Sequence, residues 1–330
     1  MKLKKIMVAV TCCTTLAIPA FAQDQVELKF TTASVPSDIH TKAMKVFKDS
    51  LNTSAPGRFD IQLYDSGSLF KSGPDLDAMQ RGNVEMAYLS YQLIADAIPK
   101  YGVLTSGYLF KNPTHYRAFL NSEVGQQFKS DVSEDMDVQI LDACYLGTRE
   151  LNLRTVQDIK TPDDLKGVKL RMPGSDSWLF LGDALGASAT PMPFGEVYLG
   201  LQTGAIDAQD NPLPTIEAAK FYEVTKQIVM TNHLVDATNI VVNNQTWDQL
   251  SKNEQASMQK AAVAACDWNN TNRQSEEARL ISVFKKAGLT ITTPNQEAFR
   301  KHVQEYYLNS DRSDDWPEGL LEEINKLVQE

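Results

Sequence analysis

Three consecutive segments near the start of the chain restrict its fold more than any others. Val26 to Phe30 alternates apolar and polar residues with the period of a half-buried strand. Thr41 to Leu51 then spaces Ala43, Met44, Val46, Phe47 and Leu51 as one helical face, and Phe59 to Tyr64 alternates again. The same order repeats in a helix at Asp75 to Gln80, stopped by Gly82, and a strand at Val84 to Leu89. Strands that alternate with helices predict an α/β fold with a mostly parallel sheet.

Further along, the pattern predicts a helix over 123–132, a strand over 138–143 and a short helix at Thr161 to Gly167. Thr161 caps that helix, Pro162 takes its first position, Asp163 and Asp164 complement its dipole, and Gly167 ends it. It feeds a strand at Val168 to Arg171, and Trp178 to Leu185 reads as another helix, closed by Gly186. After a short amphipathic helix that Gly204 stops comes a tight strand, then a polar turn at Asp210-Asn211-Pro212. Ser251 and Glu254 form a capping box at the head of the longest helical pattern, which runs to Ala287-Gly288. More than thirty residues at 1.5 Å each make a helix on the order of 50 Å long, enough to cross two lobes. A last helix is expected to open at Asp315-Trp316-Pro317 and to carry Leu320, Leu321, Ile324, Leu327 and Val328.

A length of 330 residues fits two domains, and 42% hydrophobic with 22% charged residues is a globular composition. Lys2, Lys4 and Lys5 precede an apolar run from Ile6 to Ala17 that ends in Ala20-Phe21-Ala22, the layout of a secretory signal peptide cleaved before Gln23. The run is too short, and too rich in Thr and Cys, to span a membrane. Cys12 as a lipidated first residue fits poorly behind the bulky Thr11. Losing residues 1–22 takes three lysines and no acids from a net charge of −10, leaving 308 residues at −13. So acidic a chain attracts neither phosphate backbones nor anionic lipid overall, and nucleic acid is not an expected partner. Cys144 and Cys266, the cysteines that remain, resemble neither a disulfide framework nor a metal site, and the sequence leaves a bridge between them open.

No metalloprotease helix motif, phosphate loop, nucleophile elbow, Cys-x-x-Cys or dinucleotide fingerprint occurs. The four histidines, His40, His115, His233 and His302, are scattered without ligand or triad spacing; His40, after the first loop, is kept as a candidate neighbour of a site. Arg171 stands where a strand ends and a Pro-bounded loop begins, a place where α/β sheets often bind ligands. Its planar fork of donors matches a carboxylate bidentately. The plainer reading is that Arg149, Arg154 and Arg171 are solvated or pair with acids such as Asp163 and Asp164. Asn211 reads equally as a turn residue before proline, and Phe194 as core.

Gly147-Thr148-Arg149, Asp164 to Pro173, Glu196 to Gly204, Asp207 to Pro212 and Lys220 to Val224 together resemble the substrate-binding proteins of tripartite ATP-independent periplasmic (TRAP) transporters, of the DctP type. Several of these segments are similar to the sialic acid-binding branch. The resemblance implies a two-lobe periplasmic binding protein fold with discontinuous lobes, a hinge and a long helix crossing both. With crossings near Leu146, Val235 and Gln274, lobe I would hold 23–146 and 235–274, and lobe II 147–234 and 275–330. It further implies that Arg171 holds a ligand carboxylate, that Arg149 is a second anion contact, that Asn211 donates to the ligand and that Phe194 packs on it.

The chain departs from the sialic acid pattern at Tyr88 to Leu93, which lacks an acid and an arginine, and at Ala33, where that pattern has a polar side chain. Ser90, Tyr91, Ser175, Asp176 and Trp178 are therefore expected to set specificity. Their hydroxyls and carboxylate suit a hydroxylated acid such as a uronate or aldonate; a C4-dicarboxylate or a small sulfonate is the alternative. The expected protein is a periplasmic monomer, without cofactor or metal, that hands its organic anion to TRAP membrane permease subunits. In a different class stands an exported enzyme acting on a small acid, which would need a nucleophile or an acid–base pair in the cleft.

Overall fold

The computed structural model describes residues 25–328, so the signal segment read above lies outside the described residues. The chain opens with strand β1 (Val26–Thr31), helix α1 (Ile39–Ser54), β2 (Phe59–Tyr64), α2 (Pro74–Gln80), β3 (Met86–Ser90), α3 (Tyr91–Ala97), α4 (Pro113–Asn121) and α5 (Glu123–Met136). Then follow β4 (Val138–Leu153), β5 (Lys169–Met172), α6 (Asp176–Ala184), β6 (Ser188–Pro191), α7 (Val197–Thr203), β7 (Ala208–Pro212) and α8 (Leu213–Ala218). It ends with β8 (Gln227–Asn243), α9 (Asn244–Asp248), α10 (Lys252–Lys286), β9 (Thr290–Thr292), α11 (Gln296–Leu308) and α12 (Leu320–Lys326).

The strands form one nine-stranded mixed sheet in the order β2-β1-β3-β8-β4-β7-β5-β6, with β9 beside β8. Both ends are parallel, as the alternating pattern predicts: β1 with β2 and β3, and β5 with β6 and β7. The centre is not, because β4 and β8 run antiparallel to each other over most of their length. These two strands have 16 and 17 residues and join the two lobes. Sequence reading ended β4 at Ala143, because Gly147 and the charged Arg149-Glu150 interrupt its alternation. The interruption is a set of register shifts against β8, at Ile140/Asp142, Tyr145/Gly147 and Arg149/Leu151. At Gly147 φ is +131°, and a Cβ there would lie 2.3 Å from Cβ of Pro212, so only glycine fits.

Each lobe buries both faces of its sheet. In lobe I, Phe30, Phe47, Met258 and Ala262 fill the side of α1 and α10, and Tyr91, Phe119 and Phe128 the side of α3 to α5. In lobe II, Leu170, Trp178 and Phe299 pack under α6 and α11, and Leu201, Ile216 and Phe284 between α7, α8 and α10. Helix α10 carries the expected capping box and packs on α1 and β4 in one lobe and on α8 and β9 in the other. The crossings expected at Leu146, Val235 and Gln274 fall inside β4, β8 and α10. Cys144 of β4 and Cys266 of α10 form a buried disulfide.

Two local readings are corrected. Asp210-Asn211-Pro212 is not a turn but the end of β7, in register with Leu151, Glu150 and Arg149 of β4; Pro212 closes the strand where its missing N–H is not needed. The last helix starts at Leu320 rather than near Asp315, since Gly319 turns into the left-handed region at φ 81°.

Candidate functional site

Arg171 lies on β5, flanked in register by Thr190 of β6 and Gln209 of β7. Its Nε donates to the Met192 carbonyl at 2.8 Å, and its guanidinium lies 5.9 Å from the centre of the Phe194 ring. The side chain is buried, yet among the described residues no carboxylate pairs with it and no acceptor meets its two terminal nitrogens. Asp163 instead pairs with Lys166 at 2.7 Å, and Asp164 accepts from the backbone of Lys160 and Thr161. Burial pushes the Arg171 guanidinium down to about 9, Asp210 opposing and Arg149 adding to the shift; it therefore stays charged at neutral pH. A buried cation with terminal donors free has the chemistry to accept an anion as its partner.

Arg149 differs. Its Nε binds Asp236 at 2.7 Å, its Nη1 meets the Asp210 side chain at 3.2 Å and the Asp210 carbonyl at 3.0 Å, and the Trp178 ring lies 4.3 Å beneath it. Nε2 of His233 lies 3.2 Å from the other Asp210 oxygen. Burial alone would raise the Asp210 carboxyl, but Arg149, followed by His233 and Arg171, holds it below the usual carboxylate range. Two carboxylates already compensate Arg149, so the uncompensated positive charge of this region belongs to Arg171.

Asn211, two residues from Gln209 along β7, is buried and donates from Nδ2 to Gln209 Oε1 at 2.6 Å. Ser90 ends β3 and caps α3, accepting from the Leu93 amide at 3.3 Å. Ser175 precedes α6, with a buried hydroxyl that meets no partner among the described residues. Tyr91 packs among Phe110 and Phe128 in the lobe I core, and its buried hydroxyl is likewise unpartnered. The register thus places Arg171 and Asn211 on one face of the lobe II sheet, with Phe194 near Arg171, and Arg149, over the Trp178 ring, on the other face.

His40 and Asp176 lie apart from that group. Asp176 is exposed and lines a surface groove with Asp96, Phe180 and Arg312. His40 is buried, its Nε2 2.5 Å from Thr238 Oγ1 and its ring 4.4 Å from that of Tyr88; burial, then Arg273, pushes its pKa well below the ordinary value and keeps it neutral. Among the described residues no cluster of His, Cys, Asp and Glu could hold a metal, and no helix is long and apolar enough to cross a membrane.

Sequence reading missed the residues that tie the lobes together. Arg273, at mid-length of α10 and fully buried, pairs with Asp38 at the head of α1. It also donates to the Leu146 carbonyl at 2.7 Å and to Thr215 of α8 at 3.0 Å. Nearby, Ser37 donates to the Ala218 carbonyl at 3.1 Å, and across α3 and α6 Asp96 accepts from the Ser177 amide at 2.9 Å. The available signal was a polar run, Asn269-Asn270-Thr271-Asn272-Arg273, inside a helix long enough to need burial. Arg273→Met leaves Asp38 buried and unpaired, and a denaturant melt is expected to show a loss of about 3 to 5 kcal/mol. The double variant with Asp38→Asn should recover part of it, and purely additive losses would rule out the pairing.

The model of the DctP family, described as bacterial extracellular solute-binding protein, family 7, matches residues 30–313. The sialic acid-binding periplasmic protein SiaP of Vibrio cholerae is 32% identical over 94% of this chain and 95% of its own. A TRAP periplasmic solute binding protein from Roseobacter denitrificans, crystallised with 3-deoxy-D-manno-oct-2-ulosonic acid, is 39% identical, with a TM-score of 0.89 over 92% of this chain and 100% of that one. A second from the same organism, with bound L-galactonate, is 26% identical, with a TM-score of 0.84 over 93% of this chain and 100% of that one.

Proposed function

Because this chain belongs to the DctP family of bacterial extracellular solute-binding proteins, we propose that it captures a sugar acid between its lobes and presents it to the membrane subunits of a TRAP transporter. The observation that carries this reading is Arg171: a buried guanidinium that makes no ion pair with a carboxylate among the described residues, whereas Arg149 makes two. A ligand carboxylate supplies the missing partner. Asn211 and the Phe194 ring flank it, giving a polar contact for a hydroxyl and an apolar one for a carbon skeleton. A C4-dicarboxylate would need a second uncompensated cation, and Arg149 is already matched by Asp210 and Asp236.

On the bounds drawn from the sequence, lobe I holds 23–146 and 235–274 and lobe II holds 147–234 and 275–330, although α12 packs Leu320 and Ile324 into the lobe I core; in this reading β4, β8 and α10 bend between the lobes. In the open state water hydrates Arg171. When a carboxylate binds and the lobes shut, water leaves and the ion pair strengthens. Shutting on an unpaired cation is costly, so the closed shape reports occupancy. The chain acts in the periplasm as a receptor and turns nothing over.

A thermal-shift screen of residues 23–330 tests this, with 3-deoxy-D-manno-oct-2-ulosonate first, then L-galactonate, D-glucuronate, sialic acid, a C4-dicarboxylate and a small sulfonate. A ligand that binds only the native state raises the midpoint by mass action, by about 2.7 kcal/mol of stability at a hundred times its Kd. A sugar acid is expected to do so and to be recovered unchanged. Stabilisation by the dicarboxylate alone, or consumption of the acid, would overturn the reading.

A further inference from the structure

We propose that Gln209, Asn152 and Thr225 are positioning residues that fix which end of the Asn211 side-chain amide meets the ligand, and so select an acid with a hydroxyl that donates to Asn211. The inference rests on the receptor reading above and adds to it the residues that set its selectivity. All four side chains are buried, and three of them come from strands whose register aligns them: Gln209 lies opposite Asn152 of β4 and beside Arg171 of β5, with Asn211 on the same face. Their hydrogen bonds form one directed chain.

Its direction starts from groups that can only accept. The Phe221 carbonyl takes the Thr225 hydroxyl proton at 2.8 Å, and the Gln227 carbonyl takes a proton from Asn152 Nδ2 at 3.0 Å. With its proton spent, Thr225 Oγ1 accepts from the same Asn152 nitrogen at 2.8 Å. The Asn152 oxygen is thereby turned to Gln209 and accepts from its Nε2 at 3.3 Å. Gln209 then has only its oxygen to offer, and Asn211 Nδ2 donates to it at 2.6 Å. Flipping any one of these amides would set two donors or two acceptors face to face without water to relieve them.

Asn211 therefore keeps Oδ1 and one N–H for the ligand, and Oδ1 meets no partner among the described residues. Arg171 offers only donors. The pair reads a carboxylate at Arg171 together with a hydroxyl whose proton goes to Asn211 Oδ1. An acid without that hydroxyl leaves a buried acceptor unmatched, the circumstance in which a polar site discriminates most strongly.

The test measures affinities of the wild type, Asn152→Leu, Thr225→Val and Thr225→Ser for 3-deoxy-D-manno-oct-2-ulosonate, L-galactonate and D-glucuronate, each beside its singly deoxygenated counterparts. It also follows the carboxamide NMR signals of Asn211 without ligand. The wild type is expected to prefer one of these acids over one of its deoxy counterparts by at least about tenfold. Asn152→Leu and Thr225→Val should reduce that ratio several-fold while the Asn211 signals move, and Thr225→Ser should restore both. Because Thr225 does not touch Asn211, a change in its packing alone has no reason to move those signals. An unchanged ratio, or Asn211 signals unmoved in both Asn152→Leu and Thr225→Val, overturns the proposal. If the wild type binds none of the acids, the receptor reading for sugar acids fails instead, and the relay is judged on the amide signals alone. If Asn152→Leu does not fold, the Thr225 pair decides.

Discussion

Arg171→Met is expected to abolish the ligand-induced rise in melting temperature and to weaken binding of the sugar acid by at least a hundredfold, about 3 kcal/mol, as loss of a buried charge partner commonly does. The same variant should make the ligand-free protein more stable, because it removes a buried guanidinium that pairs with no carboxylate among the described residues and puts an uncharged side chain in its place. The opposite signs are the diagnostic part, since a structural arginine would lose stability and leave affinity alone. Arg171→Lys should fall between, keeping a charge but losing the fork and the Nε contact to Met192. Isothermal titration and paired melts measure both effects. Full affinity in Arg171→Met would remove this residue from the anion site.

Breaking the disulfide should produce the largest loss of stability. Cys144 and Cys266 are separated by 122 residues in sequence, and closing so long a loop in the unfolded chain corresponds to about 5 kcal/mol in the chain-entropy model. Cys144→Ala with Cys266→Ala is expected to show most of that in denaturant melts without a change in the contacts of Arg171. Both sulfurs are buried, so reductant should leave the native wild type intact and lower its transition only once unfolding exposes them. A loss below about 1 kcal/mol would mean that the unfolded chain is already constrained near these cysteines.

Much of the architecture was legible because its causes are local. The alternation in β1 and β2, the apolar face of α1 and the capping box at Ser251 and Glu254 act within a few residues, and each produced the element expected. The position of Arg171 on a strand beside a Pro-bounded loop was legible for the same reason. Glu150, Asn152, Gln209 and Asn211 left a fainter trace, polar residues at alternate positions in strands whose other face is apolar. Read as a turn, Asn211-Pro212 concealed it.

The rest depended on partners far away in the chain. Arg149 reads as an anion contact in the sequence, and folding adds Asp210 and Asp236 on β7 and β8 as its ion-pair partners; Asp163 and Asp164 read as candidate partners of Arg171, and folding gives them nearer donors. Asp38 and Arg273 meet across 235 residues, and the two cysteines across 122. Residue type, periodicity and caps act over one or two turns of chain, so the sequence alone determined the elements and the kind of ligand an unpaired guanidinium would want. Which charges end up matched, and which one stays unpaired among the described residues, follows from strand register and loop closure between distant segments. Only the tertiary structure decided that, because no local interaction distinguishes a paired arginine from an unpaired one.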